Sequence, residues 1–152
     1  MIAAQTTKFV NVTPPAAIVD DGSYTTATID TAGFSHATIV AYIGATDIAM
    51  TALKVQEGDA SNMSDAADVT GLVSGTSSNI EGSTSVLPSA DDDNTFQVFE
   101  VDLRGRKRYL DVVATAGNGS AGTFCAIFAV LSRAEEVPAT NAARGADEVL
   151  AV

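Results

Sequence analysis

Residues 94–131 constrain the fold of this chain more than any other stretch. Three runs rich in β-branched and aromatic residues lie there, Thr95-Phe-Gln-Val-Phe-Glu-Val-Asp-Leu103, Tyr109-Leu-Asp-Val-Val-Ala-Thr115 and Thr123-Phe-Cys-Ala-Ile-Phe-Ala-Val-Leu131. Polar segments at 104–108 and 117–120, both containing Gly, separate them. Runs of this composition and spacing read as consecutive strands, and they predict a β-meander. Polar and apolar residues alternate from Gln97 to Asp102, so one face of that strand should be buried and the other wet. The alternation slips at Val98-Phe99, which predicts a β-bulge.

Upstream, further strands are expected at 8–12, 24–29, 37–43 and 50–57, with turns rich in Gly and Asp between them. The tripeptide Ala-Thr-Ile begins at Ala27 and again at Ala37, a spacing that suits neighbouring antiparallel strands. From Gly58 to Asn94 the chain turns polar, with short strands expected at 68–73 and 79–86 inside a functional or interface loop. The expected fold is all-β: an antiparallel β-sandwich, the jelly roll being one form of it. Its domain spans 1–133, with 58–94 as a loop-rich insertion. The expected core joins Val98 or Phe99, Val101, Leu110, Val112, Phe124, Ile127 and Val130 to Ile39, Ile43, Leu53 and Val55.

Residues 134–152 form a C-terminal arm. Pro138 and Gly145 interrupt any helix, and the apolar residues Val149, Leu150 and Val152 gather at its end. Such a segment is either disordered or docks on a neighbouring subunit.

The net charge is -11, from 19 acidic and 8 basic residues, and four of the basic ones are Arg104, Arg106, Lys107 and Arg108. A negative body with one basic spot argues against nucleic-acid binding, which needs a broad basic face. It suits homo-oligomer or partner contacts in which arginine meets carboxylate. The plainer alternative is a solvated hairpin tip balanced by Glu100, Asp102 and Asp111. No run approaches the roughly 20 apolar residues of a membrane helix, and no signal peptide is evident at the N-terminus. The lone Cys125 sits in an apolar run and reads as a small buried hydrophobe.

Motifs for chemistry are weak. Gly117-x-Gly119-x-x-Gly122 has dinucleotide-loop spacing, yet Pro138 and an Ala-rich tail stand where the second strand and its acidic residue belong. A hairpin turn is the expected reading. Asp91, Asp92 and Asp93 could attract a cation but lack calcium-loop spacing. His36 is the only histidine and has no nucleophile elbow beside it. No catalytic, cofactor or metal residues are therefore expected, and the chain is not expected to be an enzyme.

Several segments in order carry a resemblance: Ala52-Leu-Lys-Val-Gln-Glu-Gly-Asp-Ala60, Asp68-Val-Thr-Gly71, Ser89-Ala-Asp-Asp-Asp-Asn-Thr-Phe96 and, most specific, Asp102-Leu-Arg-Gly-Arg-Lys-Arg-Tyr-Leu110. The chain resembles a family of small proteins encoded among the head genes of tailed phages and prophages. That resemblance implies a virion structural protein, a capsid cement or decoration protein whose partner is the major capsid protein, made in the host cytoplasm and carried on the capsid surface. A head-tail junction role is the neighbouring alternative, and a carbohydrate-binding β-sandwich module is a further one. Direct nucleic-acid and membrane partners are not expected.

Overall fold

The computed structural model describes residues 3–151. A 3-10 turn at Ala3–Thr6 leads into eight strands: β1 (Lys8–Thr13), β2 (Ile29–Asp30), β3 (Phe34–Thr46), β4 (Ala52–Gly58), β5 (Ala67–Val73), β6 (Thr95–Asp102), β7 (Tyr109–Thr115) and β8 (Thr123–Ala134). They form two four-stranded antiparallel sheets packed as a sandwich, the first in the order β1-β8-β3-β6 and the second in the order β2-β7-β4-β5.

The core is built by period-two burial. On β3 the inward residues are Ala37, Ile39, Ala41 and Ile43, and on β8 they are Cys125, Ile127, Ala129 and Leu131. Their register pairs Ala37 with Leu131, Ile39 with Ala129, Ala41 with Ile127 and Ile43 with Cys125. Each large side chain therefore lies beside a small one, which lets the inner layer interdigitate with Leu53 and Val55 of β4 and with Leu110 and Val112 of β7. One end of the sandwich is closed by Tyr24, whose buried hydroxyl donates to the Thr123 carbonyl. Thr123 is fully buried, and its hydroxyl meets that of Thr46 at 2.5 Å.

Several expectations need correction. The strands β6, β7 and β8 are not a meander, because β6 and β8 belong to the first sheet and β7 to the second. Residues 104–108 cross between the sheets, with the Leu103 N–H bonded to Ser35 and the Arg108 carbonyl accepting from Thr31. A strand-turn-strand signal is the same for a hairpin and for such an arch, since both need only a polar turn between apolar runs. The two Ala-Thr-Ile segments are likewise not paired, and most of 24–29 is irregular, with only Ile29–Asp30 in a ladder. Segment 79–86 is a turn closed by an isolated Ser78–Thr84 bridge, not a strand.

No bulge interrupts β6, which pairs with β3 in continuous register from Thr95 to Asp102. Phe99 points inward and is buried, whereas Val98 points outward and is 52% exposed. Phe124 is also outward and exposed, and Val130 is only half-buried, so neither belongs to the inner core. In β8 the outer face is apolar too, and in β6 Phe96 and Val98 share it with Glu100 and Asp102, which weakens the periodic signal that would have told inside from outside.

The arm lies on its own domain as far as Gly145. The Arg144 carbonyl accepts the Phe9 N–H at 2.7 Å, and the Arg144 side chain donates to the Ala4 carbonyl. Gly145 has φ +69°, and a side chain there would run into the Phe9 carbonyl. This contact covers part of the open edge of β1, and the Ala27 N–H bonded to the Val12 carbonyl covers another part.

Two outcomes check the packing. Leu110→Asp should abolish the cooperative urea transition, because an unpaired buried charge costs several kcal/mol. Ala129→Leu should fold with about 1–3 kcal/mol less stability, since it overfills the gap opposite Ile39. Wild-type transitions for both would contradict the register.

Candidate interaction surface

The basic turn is held by carboxylates from four other parts of the chain. Arg104 forks onto Asp102 through Nε at 2.9 Å and a terminal nitrogen at 2.5 Å. Arg106 reaches Glu57 at 3.3 Å, and Lys107 lies 3.3 Å from Asp65 and 3.4 Å from Asp59. Arg108 forks onto Asp30 at 2.9 and 2.8 Å, and its guanidinium lies over the Tyr109 ring. Of the partners expected from sequence, only Asp102 is used here. Glu100 instead faces His36 at 3.1 Å, and Asp111 accepts the Val112 N–H.

The carboxylates respond accordingly. The Arg104 side chain holds Asp102 far below the usual range, and the Arg108 side chain lowers Asp30. Asp65 falls to about 2, chiefly because it accepts the N–H groups of Asp59 and Ala60 and then the Lys107 bond. Arg104 and Arg108 keep 76% and 55% of their side chains exposed, so the turn is a locally neutralised but accessible spot.

The glycine-rich segment 117–122 connects the two sheets rather than forming a hairpin. Its backbone N–H groups at Ser120, Ala121 and Gly122 converge on the Asp47 carboxylate at 2.5, 2.6 and 3.2 Å. This is an anion nest filled by the protein's own side chain. The bonds from Ala121 and Ser120 lower the Asp47 pKa, and a side chain at Gly119 would strike that carboxylate. Asp92 and Asp93 are similarly engaged, with Ser89 and the Thr46 N–H respectively. Among the described residues, no group of three or more His, Cys, Asp or Glu side chains could hold a metal ion. The buried Cys125 thiol is pushed up to about 12 by burial, which leaves it a packed hydrophobe.

The outer face of the first sheet is the unexpected feature. Register places Phe96, Tyr42 and Ala126 in one row, Val98, Val40, Phe128 and Asn11 in the next, and Glu100, Thr38, Val130 and Phe9 in the one beyond. The polar row Asp102, His36 and Ser132 follows, while Phe124 flanks Gly44 at the opposite end. Of the chain's six phenylalanines and three tyrosines, Phe9, Tyr42, Phe96, Phe124 and Phe128 all stand exposed on this face. Phe96 is 62% exposed and stacks on Tyr42 with centroids 4.9 Å apart. An apolar depression of about 300 Å³ opens between Tyr42, Gly44, Phe124, Pro15 and Ala16.

The outer face of the second sheet is different in kind. It carries Lys54 and Gln56 bonded to Asp68, together with Asp111 and the Arg108–Asp30 pair. A cleft of about 500 Å³, lined by Ser74, Ser77, Ile80, Val98 and Glu100, lies where the polar loop meets the free edge of β6. Val149 is half-buried, Leu150 is exposed, and Val152 falls outside the described residues.

The site residues named from sequence thus separate into a turn and a tail end, and sequence reasoning passed over the aromatic face. Its signal was present in the Val98-Phe99 doublet and in the unbroken apolar run of β8. A strand apolar on both faces is either covered on both sides or shows one side to solvent. Among the described residues, no helix is long and apolar enough to cross a membrane. The class defined by this geometry is a two-sheet antiparallel β-sandwich with one polar and one aromatic outer face. No family model, curated protein or solved structure matches the chain.

The depressed carboxylates give a pH dependence. Asp47, Asp65 and Asp102 bind protons more weakly folded than unfolded, so their contribution is complete above the ordinary value of 3.8 and disappears as pH falls towards 2. Urea midpoints should be flat from about pH 7 to 5 and drop between about pH 4 and 2. Asp65→Asn should lower the midpoint at neutral pH and shrink that acid drop. An unchanged acid limb in this variant would contradict the assignment.

Proposed function

We propose that this protein is a structural component of a tailed-phage head, a cement or decoration protein that binds the major capsid protein and acts through subunit contacts. The observation that carries the reading is the aromatic outer face of the first sheet. Monomeric proteins seldom leave so many large rings on one surface, and Phe and Tyr are enriched where proteins meet. The strand orders β1-β8-β3-β6 and β2-β7-β4-β5 follow the winding of a jelly roll, which supports the reading only at the level of fold analogy. The resemblance in residues 52–110 supports it from the sequence side.

In this reading the basic turn supplies secondary contacts. Arg104, Arg106, Lys107 and Arg108 would exchange an internal carboxylate for one on the capsid subunit, and Val149, Leu150 and Val152 would serve as an apolar tail contact. Such exchange adds little net energy, so the aromatic face dominates the assembly.

The test is density-gradient sedimentation of phage heads produced with tagged protein. Wild-type protein should travel with intact heads at a fixed stoichiometry. Phe96→Ser should reduce occupancy more than Arg106→Ala with Arg108→Ala does. Protein that stays at the top of the gradient, while folded and present in excess, would overturn the proposal.

A further inference from the structure

We propose that the aromatic face of the first sheet mates with the same face of a second copy of this chain, about a twofold axis lying along the Phe96-Tyr42-Ala126 row. The inference rests on the composition and register of the face, not on the phage-head reading; it concerns the free protein, in which the second copy holds the face that a capsid subunit would take on the head.

Area is the first argument. With aromatic side chains offering roughly 150–250 Å² each, the exposed parts of Phe9, Tyr42, Phe96, Val98, Phe124 and Phe128 present on the order of 500 Å². Two such faces, with half-buried Val40, Ala126 and Val130 and the surrounding rim, approach the roughly 1,200–2,000 Å² of a specific interface. A pleated apolar surface packs on another sheet at about 10 Å separation.

Charge selects both the occupant and the orientation. The rows around Tyr42 and Phe128 carry no ionisable side chain apart from the Tyr42 phenol, so a copy of the same rows strands no charge on docking. The carboxylates on the face, Glu100 and Asp102, lie at one end of β6. An axis running along the strands would lay each acidic end on its counterpart in the other copy. An axis across the strands, along the Phe96-Tyr42-Ala126 row, sends the two Glu100-Asp102 ends to opposite sides and lays the Val98-Val40-Phe128 row on the row of Gly44 and Phe124. It also sets Ala126 facing Ala126 of the second copy, and Tyr42 facing Tyr42.

This pairing has a distinctive salt response. Each copy carries a net charge of -11, so the bodies repel while the faces attract. Raising salt screens the repulsion and should tighten association, whereas a contact made by the basic turn on acidic surface would weaken.

The experiment is sedimentation equilibrium of the purified full chain across concentration and salt, combined with crosslinking. Wild type should be a dimer that tightens with salt. Phe128→Asp should weaken association by more than about 100-fold. Phe96→Ser, which removes apolar area without adding a charge, should weaken it less, and both should keep a cooperative melt as monomers. With a short bis-maleimide, Ala126→Cys should crosslink to itself efficiently and Asp102→Cys should not; the single native cysteine is buried and should stay silent. A monomer at all concentrations and salts overturns the proposal, as does a dimer unaffected by Phe128→Asp or one that crosslinks through Asp102→Cys. A monomer that still sediments with phage heads would remove this inference and leave the proposed function standing. A dimer with no affinity for heads would do the reverse.

Discussion

Everything in this molecule depends on how β3 and β8 lie against each other at the centre of the first sheet. Large and small residues alternate along both strands, and the register sets every Ile or Leu beside an Ala or Cys. A shift of one residue would turn each inward side chain to solvent, and a shift of two would set Ile against Ile and Ala against Ala. The pair is also the longest ladder in the protein, and it holds β1 on one side and β6 on the other. The inner layer it presents is the surface on which β4 and β7 of the second sheet pack.

Once that layer is in place, the connections have to span the gap between sheets, and their chemistry follows from the task. The crossing at 104–108 is studded with cations, and the acidic partners come from β2, β4, β6 and the loop after β4, so one turn pins strands of both sheets. The crossing at 117–122 solves the same problem with a glycine-rich turn, in which the N–H groups of Ser120, Ala121 and Gly122 close on Asp47. In both places a charged group that could have met a ligand is used to hold a loop. The polar groups available for chemistry are therefore largely engaged in architecture, while the aromatic rings are left facing outward.

That division bears on function. The sandwich buries mainly aliphatic residues, with Phe99 and Tyr24, and leaves five aromatic rings exposed on the outer face of its first sheet. The polar second sheet keeps the opposite face wet. The two outer faces thus differ in kind, one polar and one aromatic, and it is the aromatic one on which the proposed role in an assembly rests.

Much of this was legible in the chain. Composition and punctuation by Gly, Asn and Asp determined an all-β protein, and seven of the expected segments, at 8–12, 37–43, 50–57, 68–73, 95–102, 109–115 and 123–131, correspond to strands in the sandwich. The inward residues of β3, β4 and β7 followed from alternation, since one face of each is plainly more polar. What the chain could not express was partnership. Sheet membership depends on which strands meet across gaps of up to 123 residues, as between Lys8 and Leu131, and a polar turn between apolar runs serves a hairpin and an inter-sheet arch alike. The carboxylate partners of Arg106, Lys107 and Arg108 lie 42 to 78 residues away for the same reason. The outward face of β8 was hidden because both of its faces are apolar, and on β6 the Val98-Phe99 doublet sets a large apolar residue on each face; periodicity carries no information where its two phases are equal. Only the tertiary structure, by closing the second sheet over one side, decided which rings were buried and which were left exposed.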